Sequence, residues 1–233
     1  MSNLSHERTV ADFATENLAR TRVFENFGID YCCGGEIPLA DACERQGIST
    51  EQVLQAIAEC DRNEPQVPVK LADAAIGDLV ASILNEHHAF LWSELPRLDE
   101  LHVHVSGHHA AQQPYLMRSL EVYRELRSEL EDHMRKEEQF LFPLCSALDD
   151  SAVPELMGVI SSMLEKYEEE HKQVGLLLSE LHSMHNGYAI TEGMCRKQQA
   201  LLSRLAQLEE DIHLHVYKEN HILFNMLRER VES

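Results

Sequence analysis

The segment His133-Met-Arg-Lys-Glu137-Glu-Gln-Phe-Leu-Phe142 returns, 82 residues later, as His215-Val-Tyr-Lys-Glu219-Asn-His-Ile-Leu-Phe224. Histidine, lysine, glutamate, leucine and phenylalanine keep their offsets. In each copy the histidine and the glutamate are one helical turn apart, so on a helix both side chains face one point. A lone histidine precedes each copy at nearly the same distance: His88 stands 45 residues before His133, and His171 stands 44 before His215. The chain therefore reads as two copies of one helical hairpin. Each copy brings a histidine from its first helix and an H-x-x-x-E pair from its second.

The surrounding pattern supplies the helices. Apolar residues recur at helical spacing over roughly 71–105, 115–147, 153–185 and 191–230. Breaks fall at Ser106-Gly107 through Pro114, at Asp149 to Pro154 and at Asn186-Gly187. The stripes read Val80, Leu84, 88, Leu91, Leu95; Leu126, Leu130, 133, 137, Leu141, Leu144; Leu164, Tyr167, 171, Val174, Leu178, Leu181; and Leu205, Leu208, Ile212, 215, 219, Ile222, Met226. Four long amphipathic helices with short connections predict an all-α, up-down-up-down four-helix bundle. The positions without an apolar occupant are His88, His133, Glu137, His171, His215 and Glu219. Burying one uncompensated polar group costs about 1–3 kcal/mol, and a carboxylate more. Six of them on the core faces call for one shared explanation.

A bound metal pair is that explanation. Two metals with two histidines each, bridged by both carboxylates, are four-coordinate, and an oxo or hydroxo bridge makes five. Each metal then keeps about one position open. Imidazole suits iron, zinc or copper and bridging carboxylates favour harder ions, so two iron ions are preferred over manganese or zinc. His87 competes with His88, because its own stripe (Ile83, His87, Phe90) is partly apolar. His102, His104, His108, His109, His182, His185, His213 and His221 are assigned to solvated faces or loops. Among the acids, Asp211 reads as helix surface. Glu129, one turn before His133, and Glu170, next to His171, read equally as helix surface or as neighbours of the site.

Before the bundle lies a smaller segment, over 1–65, with three short helical patterns at about 9–27, 38–45 and 49–60. Two prolines in the polar run 61–70 mark a boundary. Some sixty residues make a marginal core, so this module is expected to lean on the larger domain or on a partner, and a homodimer is one such arrangement. It carries Cys32-Cys33 followed by Gly34-Gly35. Those thiols read as a tight turn or a redox pair. Arg22 is the nearest base. The other cysteines, Cys43, Cys60, Cys145 and Cys195, read as small core or surface residues.

Composition narrows the field. With 40 acids, 20 bases and a formal charge of −20, nucleic acid and anionic membrane surfaces are excluded as partners. No run of about 18 apolar residues occurs, and the first thirty residues lack the apolar stretch of a secretory signal. Adjacent cysteines in a chain this long fit reduced thiols in a cytoplasm better than a disulfide framework.

At the H-x-x-x-E-E-x-x-L-F-P run the chain resembles a hemerythrin-like HHE domain. With Asp30-Tyr-Cys-Cys-Gly-Gly35 it resembles, over essentially its whole length, the di-iron proteins that repair iron-sulfur clusters. The resemblance implies iron ligation by His88, His133, Glu137, His171, His215 and Glu219, with both glutamates bridging. It also implies acids near the pocket at Glu129 and Glu170, where they would orient imidazoles or line an iron path, a contact of Cys32 and Cys33 with iron in transit or a damaged cluster, and repair of clusters damaged by oxidative or nitrosative stress. Oxygen-carrying hemerythrins have a further histidine one turn after the third-helix ligand, where this chain has Gly175. A less saturated iron suits reaction or release better than reversible carriage. Damaged iron-sulfur proteins and NO, O2 or peroxide are the implied partners. A di-iron NO reductase or peroxidase and an O2/NO-binding sensor are the alternatives. A dizinc hydrolase is disfavoured because no separate general base is evident.

Overall fold

The computed structural model describes residues 8–63, 75–150 and 157–232. The chain divides into two compact units: Met1–Ala75 with Val216–Met226, and Ile76–His215 with Leu227–Ser233. Both are helical, and no strand occurs among the described residues. No helix there is long and apolar enough to cross a membrane. The expected boundary at 61–70 lies outside the described residues except for 61–63, which are the end of a helix. The break at 149–154 lies outside them beyond residue 150.

The first unit contains α1 (Val10–Glu16), α2 (Thr21–Asn26), α3 (Leu39–Gln46) and α4 (Thr50–Asn63). Thr9 opens α1 with a reciprocal capping box to Asp12. A single helix over 9–27 is expected from the apolar pattern, but the chain breaks at Asn17, whose backbone is extended (φ −155°, ψ 109°). Its side chain supplies the reason. Asn17 Oδ1 accepts from Ala19 N–H, capping a short 3-10 turn, and Nδ2 donates to Asp61 on α4. Buried Arg20 then makes a forked pair with Asp61 at 2.9 Å through Nε and Nη2. Pro38 opens α3, and left-handed Gly47 closes it. Val10, Phe13, Phe24, Leu39, Cys43, Val53 and Ile57 fill the interior. The residues contributed by 216–226 join this core: Tyr217 Oη lies 2.6 Å from Thr15 Oγ1, and its ring lies 5.7 Å from that of Tyr31.

The second unit is built on four long helices. Ile76–Ser82, a π segment Ile83–His88 and Ala89–His109 run on as α5. Tyr115–Lys136, a π segment Glu137–Leu141 and Phe142–Asp150 form α6. Met157–Met184 is α7, without a π segment. Arg196–Tyr217, Lys218–Leu223 (π) and Phe224–Glu232 form α8, whose residues 216–226 belong to the first unit. The turn between α7 and α8 opens with Asn186, Gly187 and Tyr188 at positive φ, as the Asn-Gly break predicts.

Every described member of the α7 stripe is buried as expected. In the other three helices the stripe slips by one residue across the π segment. Ile83 is buried where Leu84 was expected, Cys145 where Leu144 was, and Leu227 where Met226 was. A π turn adds a residue to the helical repeat, so the face that is apolar on one side of it resumes one residue out of register on the other.

Candidate metal centre

The four histidines expected as ligands are buried and come together in two pairs. His88 Nε2 lies 3.2 Å from His215 Nε2, and His171 Nε2 lies 3.0 Å from His133 Nε2. Glu137, with no exposed surface, stands between them. Its Oε1 is 3.2 Å from His133 Nε2 and its Oε2 is 3.4 Å from His88 Nε2. Within this unit, then, His88, Glu137 and His215 form one group that can hold a cation, and His133, Glu137 and His171 form the other. Glu219 follows His215 by one turn on the same unbroken helix and is also fully buried. Each of the two glutamates lies in a π segment, as does His88.

The rings are oriented from behind. His88 Nδ1–H donates to Glu138 Oε1 at 2.9 Å, and that oxygen also accepts from Trp92 Nε1–H at 2.8 Å. His133 Nδ1–H donates to Glu170 Oε2 at 3.0 Å, while Lys136 Nζ donates to Glu170 Oε1 at 2.8 Å. Burial raises the Glu170 pKa, but the bonds from His133 and Lys136 outweigh it and hold the carboxyl down at about 2. Glu170 is therefore an acceptor at any working pH. A neutral imidazole that donates from Nδ1 has its lone pair on Nε2. For His88 and His133 that lone pair is directed at a carboxylate oxygen and at another imidazole nitrogen. Such a set requires positive charge at its middle. Protons would supply it only by charging rings buried away from water, a costly arrangement. A shared metal pair satisfies all four imidazoles and the carboxylate, so the donor set fits the metals expected of it.

Glu170 is thus bonded to His133, whereas Glu129 is exposed on α6. Glu138, the residue after Glu137, is the acid behind His88, and the apolar stripes did not single it out. Asp211, expected on the surface, accepts from His87 Nδ1–H at 2.9 Å. His87 is buried and stacked on His215, with ring centroids 5.4 Å apart and planes 8° apart. It is absent from both ligand groups. His102 and His185, expected in solvent, are buried at the far end of the bundle. One signal could have found them: each follows its ligand histidine, His88 or His171, by the same 14 residues.

In the first unit the vicinal cysteines form a tight turn. Asp30 Oδ1 accepts from the backbone N–H groups of Cys32 (3.0 Å) and Cys33 (2.9 Å). The two sulfurs are 3.6 Å apart, and no disulfide joins any of the six cysteines. Asp30, Cys32 and Cys33 form a third group that can hold a cation. The contact with Cys33, then burial and Asp30, push the Cys32 thiol well above its ordinary pKa. Gly35 is obligatory in this turn, because a Cβ there would lie 2.5 Å from the Tyr31 carbonyl oxygen. The Cys32 carbonyl accepts from Asn220 Nδ2–H and His221 Nε2–H, each at 3.0 Å. The turn is thereby anchored to the two residues that follow Glu219.

Comparison with known proteins finds two matched segments. Residues 79–227 match the family model described as the hemerythrin HHE cation binding domain. Residues 6–61 match one described as a domain of unknown function (DUF542). The chain is 28% identical over 223 residues to the iron-sulfur cluster repair protein ScdA of Staphylococcus haemolyticus, covering 95% of this chain and 98% of that protein. It is 30% identical over 219 residues to the iron-sulfur cluster repair protein YtfE of Escherichia coli O157:H7, covering 94% of this chain and 95% of that protein.

Proposed function

Because the chain belongs to the hemerythrin HHE cation-binding family and, over nearly its whole length, to that of the iron-sulfur cluster repair proteins, we propose that it repairs iron-sulfur clusters damaged by oxidative or nitrosative stress, using a pair of iron ions in the bundle. The observation that carries this reading is the pairing of four buried imidazole nitrogens about Glu137. His88 and His215 would hold one iron, and His133 and His171 the other. Glu137 would be shared between them, and Glu219 would be the repeat-related carboxylate ligand. Bound there, the iron pair would supply transferable metal and a centre reactive toward NO or peroxide.

The protein's own groups have distinct tasks. Glu138 and Glu170 fix the tautomers of His88 and His133, so the Nε2 lone pairs stay directed at the metal positions. The bundle 71–230 is the iron-holding domain, and the segment 1–65 presents the Asp30-Cys32-Cys33 turn. That turn would receive iron in transit or contact the damaged cluster. Its anchorage beside Glu219 supports this assignment. Damaged iron-sulfur proteins are the partners, and the cytoplasm is where the protein would meet them. A homodimer is consistent with the small size of the amino-terminal module.

The test is to purify the protein without oxygen, count its iron, and incubate it with a [4Fe–4S] dehydratase inactivated by peroxide or NO. Recovery of the dehydratase with matching loss of iron from this protein is expected. Multiple-turnover consumption of NO or peroxide without client recovery would replace repair with an enzymatic role. A reversible gas adduct alone would replace it with sensing.

A further inference from the structure

The Cys32-Cys33 turn pairs two thiols of unequal access. Cys32 is buried and Cys33 half-buried, and neither is in a disulfide. Their sulfurs stand 3.6 Å apart, with the Cys32 S–H donating to Cys33 Sγ. The same thiol lies 3.5 Å from Asp30 Oδ1. A sulfur that accepts a hydrogen bond carries negative charge more easily, so Cys33 is the better nucleophile as well as the more accessible one. Gly34 follows without a side chain, and a Cβ there would stand 3.0 Å from Asp30 Oδ2. The peptide unit that joins the two cysteines is held on both sides. Its N–H, from Cys33, donates to Asp30 Oδ1, and its carbonyl, from Cys32, accepts from Asn220 and His221.

We propose that this turn is a peroxide-reactive dithiol in which Cys33 attacks and Cys32 resolves, and that its oxidation releases the hold on Asn220 and His221. The Cys33 thiol attacks one oxygen of hydrogen peroxide, and the O–O bond breaks to give a sulfenic acid and one water. The Cys32 sulfur then attacks the Cys33 sulfur. The S–S bond forms, the S–O bond breaks, and the hydroxyl leaves with the Cys32 proton as a second water. Two thiols thus give up two electrons to one peroxide. Asp30 Oδ1 is placed to take the Cys32 proton on its way. A disulfide draws its sulfurs to about 2.05 Å and prefers Cα atoms about 4.4–6.8 Å apart, whereas adjacent residues are held at about 3.8 Å. The ring closed here is therefore strained and easily reduced, and an external dithiol reopens it by exchange. Closure also turns the Cys32–Cys33 peptide, because that peptide is part of the ring. Its carbonyl then leaves Asn220 and His221, the residues after Glu219. Oxidation withdraws both sulfurs from any metal as well. The chemistry needs no iron, so it stands or falls separately from repair.

The test uses the full-length, metal-free protein, so that iron takes no part in the reaction with peroxide. One equivalent of hydrogen peroxide should lower the titratable thiols from six per chain to four, and dithiothreitol should restore all six. Peptide mass mapping should place the lost pair at Cys32 and Cys33, and Cys195→Ser should lose the same pair. Cys33→Ser should lose none. Cys32→Ser should stop at the sulfenic acid, trapped as a dimedone adduct on Cys33. Hydrogen exchange over 216–226 should rise on oxidation and fall again with dithiothreitol. Circular dichroism identifies any variant that fails to fold, and the peptide map of the oxidised wild type then decides. Six thiols left after peroxide, a loss that survives Cys33→Ser, or a bond mapped to another pair of cysteines overturns the assignment. Unchanged exchange overturns the release of Asn220 and His221.

Discussion

His102 and His185 direct their Nε2 atoms at one hydroxyl, Ser119 Oγ, at 3.1 and 2.6 Å. These repeat-related histidines meet in the interior of the bundle, and neither Nδ1 has a hydrogen-bond partner there. Burial, above all, pushes His102 down to about 3 and His185 down to about 4. Their folded pKa values lie below the ordinary value of about 6.5, so the unfolded chain takes up protons first. The stability they contribute is complete above about pH 6.5 and is lost as pH falls toward the folded values. For His185 the loss between about pH 7 and pH 5 is about 2 kcal/mol. Urea unfolding of the metal-free protein should show His185→Gln losing less stability than wild type over that interval. Parallel pH profiles would contradict the burial effect.

Glu137→Gln is predicted to separate metal binding from stability. The amide keeps the shape but cannot neutralise two metals, so iron bound after anaerobic reconstitution should fall below two per chain. The metal-free variant should melt no lower than wild type, because removing a buried charge is often neutral or stabilising. Metal analysis and thermal melts of both forms check this. Full iron loading would remove Glu137 from the bridge.

The acids behind the rings can be ranked. Glu138→Gln and Glu170→Gln should each speed iron loss to a chelator by roughly 10–100-fold, the usual cost of losing a partner behind a ligand. Glu129→Ala, on an exposed face, should leave the rate unchanged. A faster rate for Glu129→Ala than for Glu138→Gln would reverse this order.

Two glycines should respond with opposite signs. Gly35→Ala forces a methyl against the Tyr31 carbonyl oxygen and should cost about 1–3 kcal/mol. Gly107→Ala, in helical α5 with nothing within 4 Å of its added methyl, should gain about 0.5–1 kcal/mol. Denaturant unfolding of both variants measures the pair.

The six candidate ligands were legible because each violates an apolar stripe and the violations repeat at fixed spacing. The stripes themselves were readable to one residue, and their errors have one cause. Helical periodicity assumes a constant turn, and the π segments at Ile83, Glu137 and Lys218 break that assumption. Glu138 escaped because it lies off the apolar stripe and its partner, His88, is 50 residues away. Asp211 and His87 meet across two helices, which no single-helix pattern records. The break at Asn17 escaped because its cause is a bond to Asp61, 44 residues away.

Superposed by the 82-residue offset, the widened turns at Glu137–Leu141 and Lys218–Leu223 coincide, while the one at Ile83–His88 faces regular helix in α7. The two halves of the centre are therefore unlike in their surroundings: His87 stacks on His215 beside one histidine pair, whereas at the repeat-related position of the other half Glu170 is hydrogen-bonded to His133.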